Sequence, residues 1–352
     1  MNTDYYVVIP NWNGLDFIEK CLESLRAQTV RHHVIVVDNG SSDGSNRLVR
    51  EKFPEVELLE FPNNAGFAGG VNRGIRPALE GGARYVVLLN NDAVAEPTWL
   101  ERLVAAADAN PRVGAVAAKI LKEDGHELDS TGDLYSVWGL PFPRGRDEAD
   151  SGQYDGAEAR GIFAASGGAS LYRAEMLKEI GLFDERFFAY YEDSDIGFRG
   201  QLAGWKVLYE PAARVYHYVG GTSSRIDLKG EAEAAAIHHQ DKPSAFARYH
   251  SVKNIIFLYT KNMPGWLYWK YLPLFWASLV LLLVNDAGRG LLGSYFKGLG
   301  SALRQMPGVL ADRRRIQRGR KVSIGYVDSI LYHKLPPIQK MKVAKVKQKL
   351  GL

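Results

Sequence analysis

The chain has 352 residues, 46% of them hydrophobic, enough to bury one large core with an appendage or two domains. A lone cysteine, Cys21, excludes an intramolecular disulfide and a cysteine-based zinc cluster, which suits a reducing compartment. The net charge of +4 is split unevenly, with 26 Lys and Arg against 37 Asp and Glu in residues 1–249, and 18 against 3 in residues 250–352.

From the N-terminus, MNTDYYVVIPNWNG lacks a basic n-region and has only a short apolar run, so no secretory signal is expected. Residues 5–10 read as a buried strand and residues 15–27 as an amphipathic helix carrying Leu15, Ile18, Leu22 and Leu25. A second strand over 33–38 ends in Asp38, and the turn at 39–45 leads into a helix over 45–52. Further strands are expected over 56–61 and 85–89, the latter running into Asn90, Asn91 and Asp92. Short apolar strands alternating with helices predict a parallel α/β sheet covered on both faces. Ligands of such sheets bind beyond the carboxyl ends of the strands, where Asp38 and Asp92 fall.

The glycine-rich stretch 63–74 leads into a helix expected over 71–79, whose N-terminus would suit a phosphate. It matches neither GxGxxG nor GxxxxGK[ST], and a lone glycine-rich loop is more often only a turn. Residues 125–160 are polar and rich in Gly, Asp and Arg, with Trp138 and Pro141-Phe142-Pro143 inside; this is long for a connection and suggests a mobile or substrate-facing segment. The small residues of 166–172 would admit a large group.

In FFAYYEDSDIGFR (187–199) an aromatic, strand-like run ends in three carboxylates, and an amphipathic helix begins with Ile196, Phe198 and Leu202. Asp and Ser are favoured helix caps and Asp195 can pair with Arg199 at i,i+4, so a capped helix with an ion pair accounts for part of the pattern. Asp193 is left at the helix mouth beside aromatics, suited to take a proton from an incoming hydroxyl. Strands over 206–209 and 214–217 bring up His217. Asp92 and His217 form a candidate metal pair that suits Mg2+ or Mn2+ if substrate phosphates complete the shell. The alternatives are a turn capped by Asp92 ahead of Pro97 and a histidine that only packs at a strand end.

The character changes at about Arg248. Residues 265–284 are strongly apolar and, at 1.5 Å per residue, reach about 30 Å as a helix, though Lys270 and Pro273 interrupt them. Trp266, Trp269 and Trp276 sit there as at a headgroup interface, followed by the basic residues Arg313, Arg314, Arg315, Arg318, Arg320 and Lys321. An acidic body with such a tail calls for an anionic lipid surface rather than nucleic acid. A surface-lying anchor is the expected form, with a full span or a soluble helical cap as alternatives.

Seven stretches, in order, resemble family 2 glycosyltransferases of GT-A fold, in particular the bacterial rhamnosyltransferase-like branch. They are VVIPNWNG (7–14), VVDNGSSDGS (36–45), NNAGFAGGVNRG (63–74), LLNNDA (88–93), GGASLYRAEML (167–177), FFAYYEDSDIGFR (187–199) and VYHYVGGT (215–222). The resemblance implies an α/β fold of GT-A type, Rossmann-like, with a mostly parallel sheet and helices on both faces. It implies a nucleotide-sugar-dependent catalytic domain over 1–247 and a basic, helical, membrane-associating region over 248–352. The implied activity is inverting transfer of a hexose, most simply rhamnose, from a dTDP- or UDP-linked donor to a hydroxyl of a lipid-linked or polysaccharide acceptor. The place implied is the cytoplasmic face of the inner membrane, with the protein peripheral or monotopic.

By its position, Asp193 resembles the family's catalytic base. Asp92 resembles the last acid of its metal motif, whose first acid is replaced here by Asn90, and His217 resembles a metal-ligand histidine, so Mg2+ or Mn2+ is implied. Asp38 resembles the residue that binds the nucleotide base, and Pro10, Asn11, Asn39, Gly70, Asn72 and Asn91 accompany it on the donor side. Gly168, Glu192, Asp195 and Arg199 fall at acceptor-side or supporting positions. A sugar-1-phosphate nucleotidyltransferase would need a Lys- and Arg-rich triphosphate loop near its start, which this chain lacks. A membrane-bound sensor without turnover would have no use for intact Asp193, Asp92 and His217.

Overall fold

Alternating Val and Ile side chains send successive residues to opposite faces of a strand, and here both faces are covered. In the computed structural model Val7, Ile9, Val36 and Val87 pack on one side of the sheet with Ile18, Leu22, Trp99 and Leu103. Val8, Ile35 and Val37 pack on the other with Val71, Ile75, Tyr172 and Ile196. The structure describes residues 4–218, 244–337 and 339–340; residues 219–222 of the VYHYVGGT stretch and the basic end over 341–352 lie outside them.

The first half runs β1 (Tyr5–Asn11), α1 (Ile18–Arg26), β2 (His33–Asp38), α2 (Ser45–Lys52), β3 (Glu57–Glu60), α3 (Gly66–Glu80) and β4 (Tyr85–Leu89). It continues through β5 (Ala93–Ala95), α4 (Trp99–Asp108), β6 (Val113–Lys122), β7 (Leu128–Ser130), β8 (Asp133–Tyr135) and β9 (Pro141–Pro143). Then come β10 (Ala169–Arg173), α5 (Ala174–Ile180), α6 (Glu192–Leu202) and β11 (Lys206–His217). The main sheet has the order β3-β2-β1-β4-β10-β6-β11-β5, with β7 on β6, while β8 and β9 form a separate ribbon. The strands from β3 to β4 are parallel, as are β6 and β11, and β10 runs antiparallel between β4 and β6. That reversal brings the start of β10 to the carboxyl end of β4, where the Asn90 N–H donates to the Gly168 carbonyl at 2.9 Å.

Helix α1 starts at Ile18 rather than 15, so Leu15 lies ahead of it and is exposed. Helix α3 starts at Gly66, five residues before the expected 71, because its glycines serve close packing: a Cβ on Gly74 would stand 2.4 Å from Val8 Cγ1. The two expected strands over 206–209 and 214–217 are one, β11, with a register shift between Glu210 and Arg214. The aromatic run at 187–191 is not strand-like. It leaves a 3-10 turn at Glu185–Phe187 and passes through Phe188, Tyr190 and Tyr191 at φ 65, 73 and 72°.

The C-terminal helices are α7 (Ala245–Asn262), α8 (Gly265–Ala287), α9 (Leu292–Arg318) and α10 (Ile324–Ile330). Val252, Phe257, Tyr259, Leu267 and Phe275 share a third core with Tyr135, Phe163, Phe198 and Leu202. These helices are thus packed directly on α6. Arg248 pairs with Asp286 at 2.7 Å between α7 and α8, both side chains buried.

Candidate active site

The strand ends gathered at this edge surround a cleft of about 370 Å³. Pro10, Asn11 and Trp12 enter it from β1, Asn90, Asn91 and Asp92 from β4, and His217 from β11. Gly168 precedes β10, Glu192 and Asp193 open α6, and the 125–160 segment adds Asp133, Phe142 and Arg146. The segment is folded rather than loose, since Asp133 exchanges backbone hydrogen bonds with Ala164 at 2.8 and 3.2 Å.

One wall is a carboxamide network. Asn11 Nδ2 donates to Asp38 Oδ1 at 3.2 Å and to Ser45 Oγ at 2.9 Å, and Asn11 Oδ1 accepts from Asn91 Nδ2 at 2.8 Å. Asp38 is buried behind Asn11 and also accepts from the Ser41 N–H, so it supports the wall rather than lining the cleft. Asn39 donates to the Gly66 carbonyl at 3.0 Å and accepts from Arg73 Nη1 at 3.0 Å. Gly70 lies beneath it, where a Cβ would come 3.1 Å from Asn39 Nδ2. Asn72 stands apart: it donates to the Phe183 carbonyl and accepts from the Phe183 N–H at 2.8 and 3.1 Å, tying α3 to the 182–188 connection.

Deeper in the cleft, His217 bridges two acids, with Nε2 3.1 Å from Asp92 Oδ1 and Nδ1 3.0 Å from Asp129 Oδ2. Asp129 also pairs with Arg146 at 3.0 Å. Burial opposes a charge on His217, but the flanking carboxylates outweigh it and raise the imidazole to about 10. No group of three or more His, Cys, Asp or Glu among the described residues is arranged to hold a metal unaided. Asp92 and His217 supply one carboxylate and one imidazole, and Asp129 stands behind the ring as an orienting carboxylate does in metal sites. That donor set fits a divalent cation whose shell is completed by phosphate oxygens, provided that binding releases the proton that the two carboxylates otherwise hold on the ring.

Asp193 borders the cleft, part-exposed, with Oδ1 accepting from the Ser194 N–H at 2.7 Å and Oδ2 from the Gly167 N–H at 3.2 Å. Burial raises its pKa, partly offset by those bonds. Asp133 and Glu192 are both buried, and burial followed by the charge of Asp193 pushes each well above the ordinary carboxyl range. Glu192 Oε2 makes no hydrogen bond among the described residues.

Asp195 and Arg199 pair at 2.8 Å as their spacing predicts, but behind the cleft. Asp195 also receives Asn262 Nδ2 at 2.7 Å and Lys261 Nζ at 2.9 Å, while Arg199 donates to the carbonyls of Ile180, Gly181 and Leu182. Nothing local in the sequence singles out Asp129, Asp133 and Arg146; the length and charge of their segment are the one signal.

A protein-family model described as Glycosyl transferase family 2 matches residues 6–181. The N-acetylglucosaminyl-diphospho-decaprenol L-rhamnosyltransferase of Mycobacterium tuberculosis is 32% identical over 263 residues, which cover 70% of this chain and 84% of that one. Among solved structures, S. aureus TarS 1–349 in complex with UDP aligns at TM-score 0.54 and 16% identity over 99% of this chain and 92% of that one. Mannosyltransferase PcManGT from Pyrobaculum calidifontis, in complex with GDP-Man and Mn2+, aligns at TM-score 0.50 and 17% identity over 85% and 87%. At those identities the structures speak to the fold alone, which is the mixed α/β GT-A arrangement.

Proposed function

Because the chain belongs to glycosyl transferase family 2, we propose that it moves a hexose, rhamnose in the most economical case, from a nucleoside diphosphate donor to an acceptor hydroxyl with inversion at the anomeric carbon. The observation that supports this most is that Asp193 and the Asp92–His217 pair border one cleft. Asp193 accepts the acceptor's hydroxyl proton as that oxygen forms its bond to the anomeric carbon. The bond from that carbon to the diphosphate breaks, and its electron pair leaves with the diphosphate. General-base help of this kind contributes roughly 10²- to 10⁴-fold. One nucleophile and one leaving group in line invert the centre, with no second carboxylate on the sugar as in a glycosidase.

Asp92 and His217 would hold Mg2+ or Mn2+, which as a Lewis acid supplies stabilisation of the charge on the departing diphosphate. Asn11, Asn39 and Asn91, with Asp38 behind them, form the donor side, and the carboxamides offer both donors and acceptors to the base and the deoxyribose or ribose of dTDP or UDP. Asp133 and Glu192 flank the base on the acceptor side, where sugar hydroxyls would complete their hydrogen bonding.

A lipid-linked acceptor is favoured by the C-terminal helices, in keeping with cell-surface glycan synthesis at the cytoplasmic face of the membrane. Trp266, Trp269, Trp276, Val280 and Val284 form one exposed stripe on α8, and Leu292, Phe296, Leu303 and Leu310 another on α9. Only 28% of the apolar window of α8 is buried, and Lys297, Arg304, Arg314 and Arg318 are exposed on α9. An apolar face bordered by cations suits in-plane docking to anionic lipid. The test is release of nucleoside diphosphate by the purified chain from a panel of dTDP-, UDP- and GDP-linked sugars. Metal-dependent release from one donor class, abolished by EDTA and restored by Mn2+ or Mg2+, is expected. Turnover undiminished in chelator would remove the metal role, and no release from any donor would count against the transfer.

A further inference from the structure

The residues just before Asp193 adopt a backbone that their side chains disfavour. Phe188, at φ 65° and ψ −64°, sits at the centre of a γ-turn of the rare positive-φ kind, closed by the Ala189 N–H on the Phe187 carbonyl at 2.8 Å. Tyr190 and Tyr191 follow at φ 73 and 72°, so three of the five non-glycine residues with positive φ among the described residues stand within four positions. Such backbone persists only where surrounding contacts over-determine it. One contact comes from α3, whose Ala68 N–H donates to the Phe188 carbonyl at 3.2 Å.

Further contacts come from α7. Asn254, wholly buried, points its Nδ2 at three successive carbonyls of the turn: Phe187 at 3.0 Å, Ala189 at 2.8 Å and Tyr190 at 2.8 Å. Its Oδ1 makes no hydrogen bond among the described residues, and turning the amide over would set that oxygen against three other oxygens. The NH2 orientation is therefore the one that satisfies the site. One helical turn earlier, the His250 ring stacks on Phe188 with centroids 5.2 Å apart and planes at 21°. The Tyr191 carbonyl then accepts from the Asp195 N–H at 3.0 Å to start α6, and Lys261 and Asn262 of α7 hold the Asp195 side chain. Helix α7 thus grips the chain on both sides of Asp193.

We propose that Asn254 is a positioning residue for the catalytic base: by holding the 187–190 turn it sets the cleft wall and the direction of the first turn of α6. The C-terminal helices are then part of the catalytic unit as well as its anchor. The role rests on Asp193 acting as base, and it differs from a merely structural one in acting on the turn rather than on global stability.

Two variants separate these. Asn254→Leu removes the donors while keeping the heavy-atom count and the branch at Cγ; Ile255→Ala opens a cavity at the next, also buried position and leaves the turn's hydrogen bonds in place. Hydrogen–deuterium exchange over residues 185–195 is read alongside donor turnover and calorimetric affinity for UDP and dTDP with Mn2+. Asn254→Leu is expected to speed exchange in the turn and to lower kcat by about 100-fold, the scale of a 1 Å misplacement. Nucleotide affinity should stay within about twofold, since no donor-side contact changes. Ile255→Ala should lower Tm while sparing both exchange in the turn and kcat. If Asn254→Leu is insoluble, Asn254→Ser keeps one hydroxyl donor and should fall between it and the native chain. Exchange that ignores the substitution at 254, kcat that is unchanged, or equal losses in the Ile255→Ala variant would overturn the proposal. The exchange arm needs no substrate, so a native chain that turns over no donor counts against glycosyl transfer and not against the grip on the turn.

Discussion

Replacing Asp193 by Asn exchanges one carboxylate oxygen for an NH2 at nearly constant volume. The carboxylate accepts two backbone hydrogen bonds, from Ser194 at 2.7 Å and Gly167 at 3.2 Å. The amide keeps one acceptor; with its oxygen on the shorter bond, its NH2 faces the Gly167 N–H, at a cost of about 1 kcal/mol. Against this, a group whose burial disfavours its charge becomes neutral, so net stability changes little. Catalysis loses the proton acceptor, about 10²- to 10⁴-fold in rate, or roughly 2.7–5.4 kcal/mol at 1.36 kcal/mol per decade. The Asp193→Asn protein should therefore melt within a few degrees of the native chain and bind nucleoside diphosphate with unchanged affinity in calorimetry. Its transfer rate should fall by at least 100-fold. Loss of nucleotide binding together with activity would mean that Asp193 holds the fold, and undiminished transfer would remove it from the mechanism.

Asp129→Asn removes the carboxylate behind His217 and should weaken Mn2+ binding by about 10- to 100-fold in titrations followed by electron paramagnetic resonance; unaltered affinity would exclude Asp129 from orienting the ring. Asp193 must be ionised to act and its pKa is raised, so activity should climb with pH through a limb above the ordinary aspartate value of about 3.9. Asp133→Asn removes the neighbouring acid and should move that limb to lower pH; a limb that stays in place would show the two acids to be uncoupled. Trp269→Glu combined with Trp276→Glu puts charge on the exposed stripe of α8 and should abolish sedimentation with anionic vesicles. Full retention would rule out this face as the docking surface.

Strands β2 and β4 and helix α2 match their sequence-based bounds because each is a short run closed by turn residues. The Asp195–Arg199 pair was equally legible, since spacing on one helix fixes proximity. Legibility ends where partners lie far apart in the chain. The aromatics of 187–191 have strand propensity, yet their backbone is held by Asn254, 67 positions from Phe187, and by the start of α3. Lys261 completes a buried charge cluster that no local spacing announces. Asp129, Asp133 and Arg146 come from a segment with no clear periodicity, and only the ribbon of β8 and β9 and the bridges to neighbouring strands put them in the cleft. Asn72 shows the reverse: the stretch that leads to it touches the cleft through Asn64, Gly66 and Phe67, but its helical phase turns it toward Phe183.

In this mechanism one cation site and one base serve opposite ends of the same reacting bond. Anomalous diffraction at the manganese edge, from crystals grown with Mn2+ and an unreactive donor analogue, tests it most directly. The expected result is a single strong peak within coordinating distance of Asp92 and His217, with the analogue's anomeric carbon presented to the Asp193 carboxylate. A peak elsewhere, or an anomeric carbon turned away from Asp193, would contradict it.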